Sequence, residues 1–332
     1  MKNEENNTIK KIMLSGVKPT GRPHIGNYFG AMKQFVEMQN DFESYVFIAD
    51  LHALTTVQNK EEMEENILGV ALDYLAIGLD PKKVTLFKQS DVSVVAELGW
   101  IFNCITTMPY LMRGHAYKDA EAKNKEINVG VFDYPLLMAA DILIQDANVV
   151  PVGLDQKQHV EYARDTAQKF NRIFGETFVV PEAYIMKEVA TLPGTDGRKM
   201  SKSYGNIISL FATDEEIKKA VMSIPTDSKA VADAKDPETC NVFALHKVLT
   251  PADELADLKE RYLKGGIGYK ESKDILVKNT IAFIKPMREK RDELAKNKDK
   301  VLEIIKKGGE VARARAEKKM EMVRERVGIS LK

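Results

Sequence analysis

Cysteine is scarce: Cys104 and Cys240 are the only two in 332 residues, and they lie far apart. The chain therefore has no CxxC pair, which argues against a zinc knuckle or a disulfide scaffold and favours a reducing, cytoplasmic setting. Long uncharged apolar runs are missing too. No stretch reaches the 18 or so residues that a membrane span needs, and the polar opening MKNEENNTIKK lacks the apolar core of a signal peptide. No membrane partner is expected. Net charge is also absent, with 49 Lys and Arg against 49 Asp and Glu. That balance disfavours a uniformly basic nucleic-acid binder, so no DNA partner is expected. The charge is nevertheless unevenly spread. From Lys285 to Lys332, 16 Lys and Arg stand against 9 Asp and Glu, a local excess of +7 that points any polyanion to the C-terminal part.

The first 180 residues alternate short β-rich runs with longer segments of helical period. IMLSG (12 to 16), SYVFIAD (44 to 50), VTLFKQS (84 to 90) and NVVPVG (148 to 153) read as buried strands. Helical patterns lie between them, at 25 to 39 and 61 to 79, and another follows the last strand in QKQHVEYARDTAQKFNRIF. This alternation predicts an α/β fold with a doubly wound parallel, Rossmann-like sheet. Residues 95 to 143 are mostly helical and read as an insertion between the halves of the sheet. After about residue 205 the strands stop. The expected organisation is a Rossmann-like catalytic domain over 1–204, with its insertion at about 95–143, and an all-helical domain over 205–332.

Ligands in such a sheet bind beyond the carboxyl ends of the strands. The stretch PTGRPHIGNYFG (19 to 30) lies at the first of those turns. Gly21 and Gly26 let a ligand approach the backbone, and the following helix aims free N–H groups at any phosphate there. His24 and Asn27 can reach the same group, but a simple turn capped by His24 fits the local sequence as well. GRKMSKS (197 to 203) holds Lys199 and Lys202 in a loop bounded by Gly197 and Gly205, where both can act as mobile charges on a triphosphate. An exposed Lys/Ser linker is the plainer alternative.

Other polar residues sit in apolar surroundings or at strand ends. Asp141 interrupts YPLLMAADILI (134 to 144), and a carboxylate there must find a donor or a salt bridge. Met138 and Tyr134 lie one and two turns back on the same helical face. Leu14, Val150 and Val152 are wall candidates or plain core. Asp155 and Gln156 follow the strand ending at Gly153, with Asp155 also placed to cap a helix, and His159 lies further along that helix. His52 in DLHALTT and Gln89 in FKQS lie just past strand ends.

The pairing of HIGN (24 to 27) with an intact KMSKS (199 to 203) resembles the class I aminoacyl-tRNA synthetases, whose signatures are HIGH and KMSKS. Within that class the chain is similar to the tryptophanyl branch. The likeness runs from about Met13 to the C-terminus and is strongest in SGVKPTGRPHIGNYFGA, DLHALTT, YPLLMAADILI, VPVGLDQKQHVEYARDTAQKFN and GRKMSKSYGN, in that order.

The resemblance implies activation of L-tryptophan by ATP and transfer to tRNA(Trp). His24, Asn27, Lys199 and Lys202 would be the catalytic residues. The ATP site would add Lys18, Thr20, Gly26, Gly153, Asp155, Gln156, Met200 and Ser201. Asp141 would accept the indole N–H in a tryptophan site completed by Met138, Tyr134, His52, Gln89, Leu14, Val152 and Gln156. Magnesium would be held by the phosphates, since no paired carboxylates stand at ligand spacing. The family further implies a homodimer with contacts within the insertion, and anticodon recognition by the C-terminal helices. Lys18 departs from the glutamine common in this branch, and Leu14 from an aromatic. A tyrosyl synthetase or a synthetase-derived RNA-binding protein are the competing expectations.

Overall fold

The computed structural model describes residues 10–114, 117–118, 121, 127–153, 157–185 and 192–331, in two compact units. The first comprises Met1–Gly21, Gln34–Lys187 and Asn297–Lys332, and the second Arg22–Lys33 and Glu188–Lys296.

The first unit is built on five strands: β1 (Ile12–Val17), β2 (Glu43–Ile48), β3 (Val84–Lys88), β4 (Val149–Val152) and β5 (Glu182–Ile185). All pair in parallel in the order β3-β2-β1-β4-β5, so the chain reverses direction across the sheet between β1 and β4. That is the position where a doubly wound sheet opens a ligand crevice. Strands β2 and β4 are buried along almost their whole length, as the apolar runs predict for a sheet covered on both faces. β5 was not expected. Its sequence EAYI is short and largely exposed, so it carries no apolar run to reveal it.

The helical segments match the sequence reading closely. Lys60–Ala76 links β2 to β3, and Lys157–Phe174 follows β4. Between β3 and β4 lie Val94–Ile105, Met108–Leu111 and Val129–Ile144, the expected insertion. The last of these contributes Leu136, Ala139, Ala140, Ile142 and Leu143 to the main apolar core, so its C-terminal half serves the sheet itself.

A single cut after residue 204 does not describe these compact units. The helix Lys298–Val327 belongs to the first of them, and the elements it meets include β3. Its buried positions Val301, Ile305, Gly308, Ala312, Ala316, Met320 and Val323 form one stripe of helical period. Small residues in that stripe permit close approach: a Cβ on Gly308 would lie 2.0 Å from the Leu86 carbonyl oxygen. Arginines fasten the same helix. Arg313 Nε donates to Asp91 O at 2.7 Å, Arg315 Nε to Gln145 O at 2.9 Å, and Arg324 Nε to Glu97 at 2.8 Å. The basic character of VARARAEKK is thus partly spent on packing within the unit.

Replacing Gly308 with alanine forces the helix away from β3, because the obstructing atom is backbone and cannot rotate aside. A loss of about 3 kcal/mol is expected, near the top of the overpacking range. Thermal unfolding measures it, with Gly69→Ala as the control: Gly69 lies in Lys60–Ala76, and its added Cβ meets nothing within 4 Å. An unchanged midpoint for Gly308→Ala would disprove the close approach.

In the second unit, helices Asp214–Met222 and Asn241–Leu249 pack on the long helix Tyr269–Lys296. A small core of Phe243, Leu258, Tyr262 and Ile267 includes residues of helix Ala252–Lys264. His246 is fully buried there, and burial lowers its pKa to about 4.

Candidate active site

In the first unit the apolar helix Val129–Ile144 presents Asp141, only 4% exposed. The donor that such a carboxylate requires comes from two strand ends. Gln89, just after β3 and itself 1% exposed, donates from Nε2 to Oδ1 at 3.0 Å and to Oδ2 at 2.8 Å. His52, in the short helix Asp50–Ala53 after β2, places Nε2 3.1 Å from Oδ2. Gln89 Oε1 in turn accepts from the His52 N–H at 3.2 Å, so the three residues are mutually fixed.

Burial pushes the Asp141 pKa up, while the hydrogen bonds from His52 and Gln89 pull it back. An ionised carboxylate has about four acceptor positions. Three are addressed by these contacts, which leaves capacity on Oδ1 for one more donor.

Aromatic residues flank this clamp. The Tyr134 ring meets His52 edge to face at 6.2 Å between centroids, and its hydroxyl pairs with His159 Nε2 at 2.9 Å. Met138 is half-buried against the main core, whereas Leu14, Val150 and Val152 are buried within it.

Lys18 belongs to this unit as well. Its Nζ donates to Thr55 Oγ1 at 3.1 Å, and that hydroxyl donates to His52 O at 2.8 Å. Partial burial lowers the Lys18 pKa. The lysine is therefore tied to the turn that carries His52. Gly153 is half-buried after β4, while Asp155 and Gln156 lie outside the described residues.

The second unit brings HIGN and KMSKS together. His24 and Asn27 cap the start of the helix reciprocally: Asn27 N donates to His24 Nδ1 at 3.3 Å, and Asn27 Oδ1 accepts from His24 N at 3.1 Å. Pro23 and Ile25 exchange backbone hydrogen bonds with Leu210 and Ile208, both at 3.0 Å, which fixes the turn beside the segment following KMSKS. His24 is buried. Burial first, then the charge of Lys202, lowers its pKa to about 4, so at neutral pH the imidazole is uncharged. With Nδ1 accepting, the neutral ring carries its proton on Nε2 and can donate to a phosphate oxygen.

Gly26 is needed for the close fit. A Cβ there would fall 2.9 Å from His24 Nδ1 and 3.5 Å from Met200 Sδ. Met200 is 4% exposed, whereas Lys199 and Lys202 on either side of it are exposed. The loop thus turns its methionine inward and its two ammonium groups outward. Thr20 is exposed and Ser201 half-buried, with the Ser201 hydroxyl 2.9 Å from that of Ser203.

The sequence profile of the family described as tRNA synthetases class I (W and Y) matches residues 6–285. The chain belongs to this family. It is 47% identical over 320 residues to the tryptophan–tRNA ligase of Fusobacterium nucleatum subsp. nucleatum, covering 96% of this chain and 98% of that one. The tryptophan–tRNA ligase of Rhodopirellula baltica is 46% identical, with 96% and 99% covered. A crystal structure of tryptophanyl-tRNA synthetase from Campylobacter jejuni, complexed with ADP and tryptophan, superimposes with a TM-score of 0.91 at 45% identity, over 96% of this chain and 99% of that chain. Tyrosyl-tRNA synthetase from Archaeoglobus fulgidus, at 20% identity and a TM-score of 0.65, shares the fold.

Against the signatures of this synthetase family, two features escaped the sequence reading. The first is that Asp141 already has protein donors. Its need for a partner was legible, but Gln89 and His52 stand 52 and 89 residues away, and no local pattern links them. The second is the pairing of buried Asp50 with half-buried Ser90, in which the Ser90 N–H donates to Asp50 Oδ1 at 3.0 Å and locks the His52 turn to the Gln89 turn.

Proposed function

We propose that the Asp141 clamp holds the indole of tryptophan while the HIGN and KMSKS residues act on the phosphates of ATP. The activity is tryptophan–tRNA ligation: L-tryptophan is activated to tryptophanyl-adenylate with release of pyrophosphate, and the acyl group passes to the 3′ end of tRNA(Trp). In the first step the tryptophan carboxylate attacks the α-phosphorus, and the bond to the pyrophosphate oxygen breaks. The chemistry needs positioning and neutralisation of charge on the phosphates rather than a nucleophilic side chain.

The observation that carries the amino-acid assignment is Asp141: a buried acceptor with one position to spare, set among Leu136, Ala139, Ala140 and Ile142 on the apolar C-terminal half of its helix, suits an N–H donor within a flat apolar ligand. Tyr134, Met138, Leu14 and Val152 supply apolar surface, and His52 and Gln89 orient the carboxylate. Lys18, tied to the His52 turn, is placed for an anion at the end of β1, the substrate carboxylate or the α-phosphate it attacks. On the nucleotide side His24 donates as a neutral imidazole, and Asn27, Gly26 and Thr20 shape the turn. Lys199 and Lys202 stabilise the departing pyrophosphate, with Met200 and Ser201 setting the loop. Gly153, just after β4, completes the nucleotide side, and we assign Asp155 and Gln156 to it from the sequence alone. Mg²⁺ would be held by the ATP phosphates rather than by side chains, and would supply neutralisation of their charge. Pyrophosphate exchange into ATP across all amino acids tests the whole: exchange with tryptophan and none with tyrosine is expected, and the reverse would refute it.

The partner is tRNA, and we assign anticodon contact to the helical region 205–332, with the exposed Lys285, Lys290 and Lys296 on Tyr269–Lys296 as phosphate contacts. A cytoplasmic reaction follows from those substrates. A homodimer is proposed through the insertion, where Trp100 is 70% exposed, Met108 63% and Val129 79%. Large apolar side chains exposed at this density mark an interaction surface. Trp100→Glu is expected to convert a dimer to a monomer in sedimentation velocity, and an unchanged dimer would remove this surface from the interface.

A further inference from the structure

The loop carrying Lys199 and Lys202 is organised around a residue outside both signatures. Asn206 is 2% exposed, and its side chain reaches three points of the preceding turn. Nδ2 donates to Asp196 Oδ1 at 2.6 Å and to Lys199 O at 3.1 Å, while Oδ1 accepts from Ser201 N at 2.8 Å. Its backbone carbonyl accepts from Thr195 N at 2.9 Å. Gly194 makes room for this arrangement, since a Cβ there would fall 2.3 Å from the Asn206 side chain.

Asp196 is the second half of the arrangement. Its Oδ1 also accepts from Arg198 N at 3.0 Å, and Oδ2 accepts from Arg198 Nε at 2.8 Å. These donors, Asn206 first, hold its pKa down at about 2, so it is a carboxylate throughout the working range. Asn206 and Arg198 between them engage both oxygens of Asp196. Three consecutive constraints fall on residues 196, 199 and 201. Between them the turn carries Met200 inward and both lysines outward.

We propose that Asn206 and Asp196 form a positioning pair that sets the direction of Lys199 and Lys202 and thereby the rate of adenylate formation. The inference rests on the reading that those lysines meet the triphosphate. An amide at 206 is required because the site presents two acceptors, the Asp196 carboxylate and the Lys199 carbonyl, and one donor, the Ser201 N–H. Among side chains of this size only asparagine offers two donors and an acceptor in one plane.

Asn206→Asp keeps the acceptor for Ser201 and turns the other side into an oxygen facing two acceptors, one of them charged. Tryptophan-dependent exchange is expected to fall about tenfold or more, with the KM for ATP raised and tryptophan affinity unchanged. Adding Asp196→Asn returns a donor to the contact with its polarity reversed, and the double variant is expected to recover at least about threefold over Asn206→Asp alone. Because Asp196 is exposed, Asp196→Ala offers a variant with little risk to folding, and it should lower kcat/KM for ATP about threefold while leaving tryptophan binding intact. Wild-type exchange in Asn206→Asp and Asp196→Ala, or equal losses for ATP and tryptophan with no recovery in the double variant, would overturn the proposal. Wild-type exchange in Lys199→Ala would instead overturn the reading on which it rests.

Discussion

Replacing Asp141 with alanine is expected to raise the KM for tryptophan about 10- to 100-fold while the KM for ATP stays within about twofold. The magnitude follows from a hydrogen bond to a charged acceptor, worth about 1.5 to 3 kcal/mol, at roughly 1.4 kcal/mol per tenfold. The substitution also strands the Gln89 amide and the His52 ring in a buried place, so some loss of thermal stability accompanies it. Steady-state exchange with each substrate varied in turn separates the two effects, because a general loosening of the fold weakens both. Equal rises in the two KM values would remove Asp141 from the indole site.

Lys199→Ala should slow adenylate formation about 10²- to 10³-fold, the usual cost of removing one group that stabilises charge developing in a transition state. Lys199 is exposed and its side chain is not part of any packed core, so the folded chain should be unaffected. The measurement is single-turnover adenylate formation at saturating ATP and tryptophan. Tryptophan binding followed at equilibrium should be unaltered. A wild-type single-turnover rate would end the assignment of Lys199 to the leaving pyrophosphate.

Much of the fold was legible because its signals are local. β1 to β4 declare themselves as apolar runs bounded by turns, and the helices between them by period, so the doubly wound sheet followed. β5 was not legible, since four residues at an edge with mostly exposed side chains differ little from a loop. The composition of the compact units was hidden for a different reason. The small-residue stripe at Gly308, Ala312 and Ala316 can be read from the sequence as one face of a helix, yet nothing in it says that the face meets β3, some 220 residues earlier.

The candidate site divides in the same way. HIGN and KMSKS were recognisable as motifs, and their residues share one compact unit. Lys18 was read with the nucleotide, and its bond to Thr55, which ties it to the turn that holds His52, was not legible in the sequence. Asn206 went unread because its importance lies in the pattern of donors and acceptors that three neighbouring residues present to it, and that pattern exists only once the turn has formed.

The return of helix Lys298–Val327 to the first unit also bears on how the chain is made. A ribosome releases the five strands well before the helix that meets β3, with the entire helical region of 205–296 emerging in between. During that interval Leu86 and its neighbours lack their final cover. Apolar surface left open during synthesis is where aggregation begins. The sheet should therefore become protease-resistant only once helix Lys298–Val327 has emerged, later than the strands' own position in the sequence would indicate.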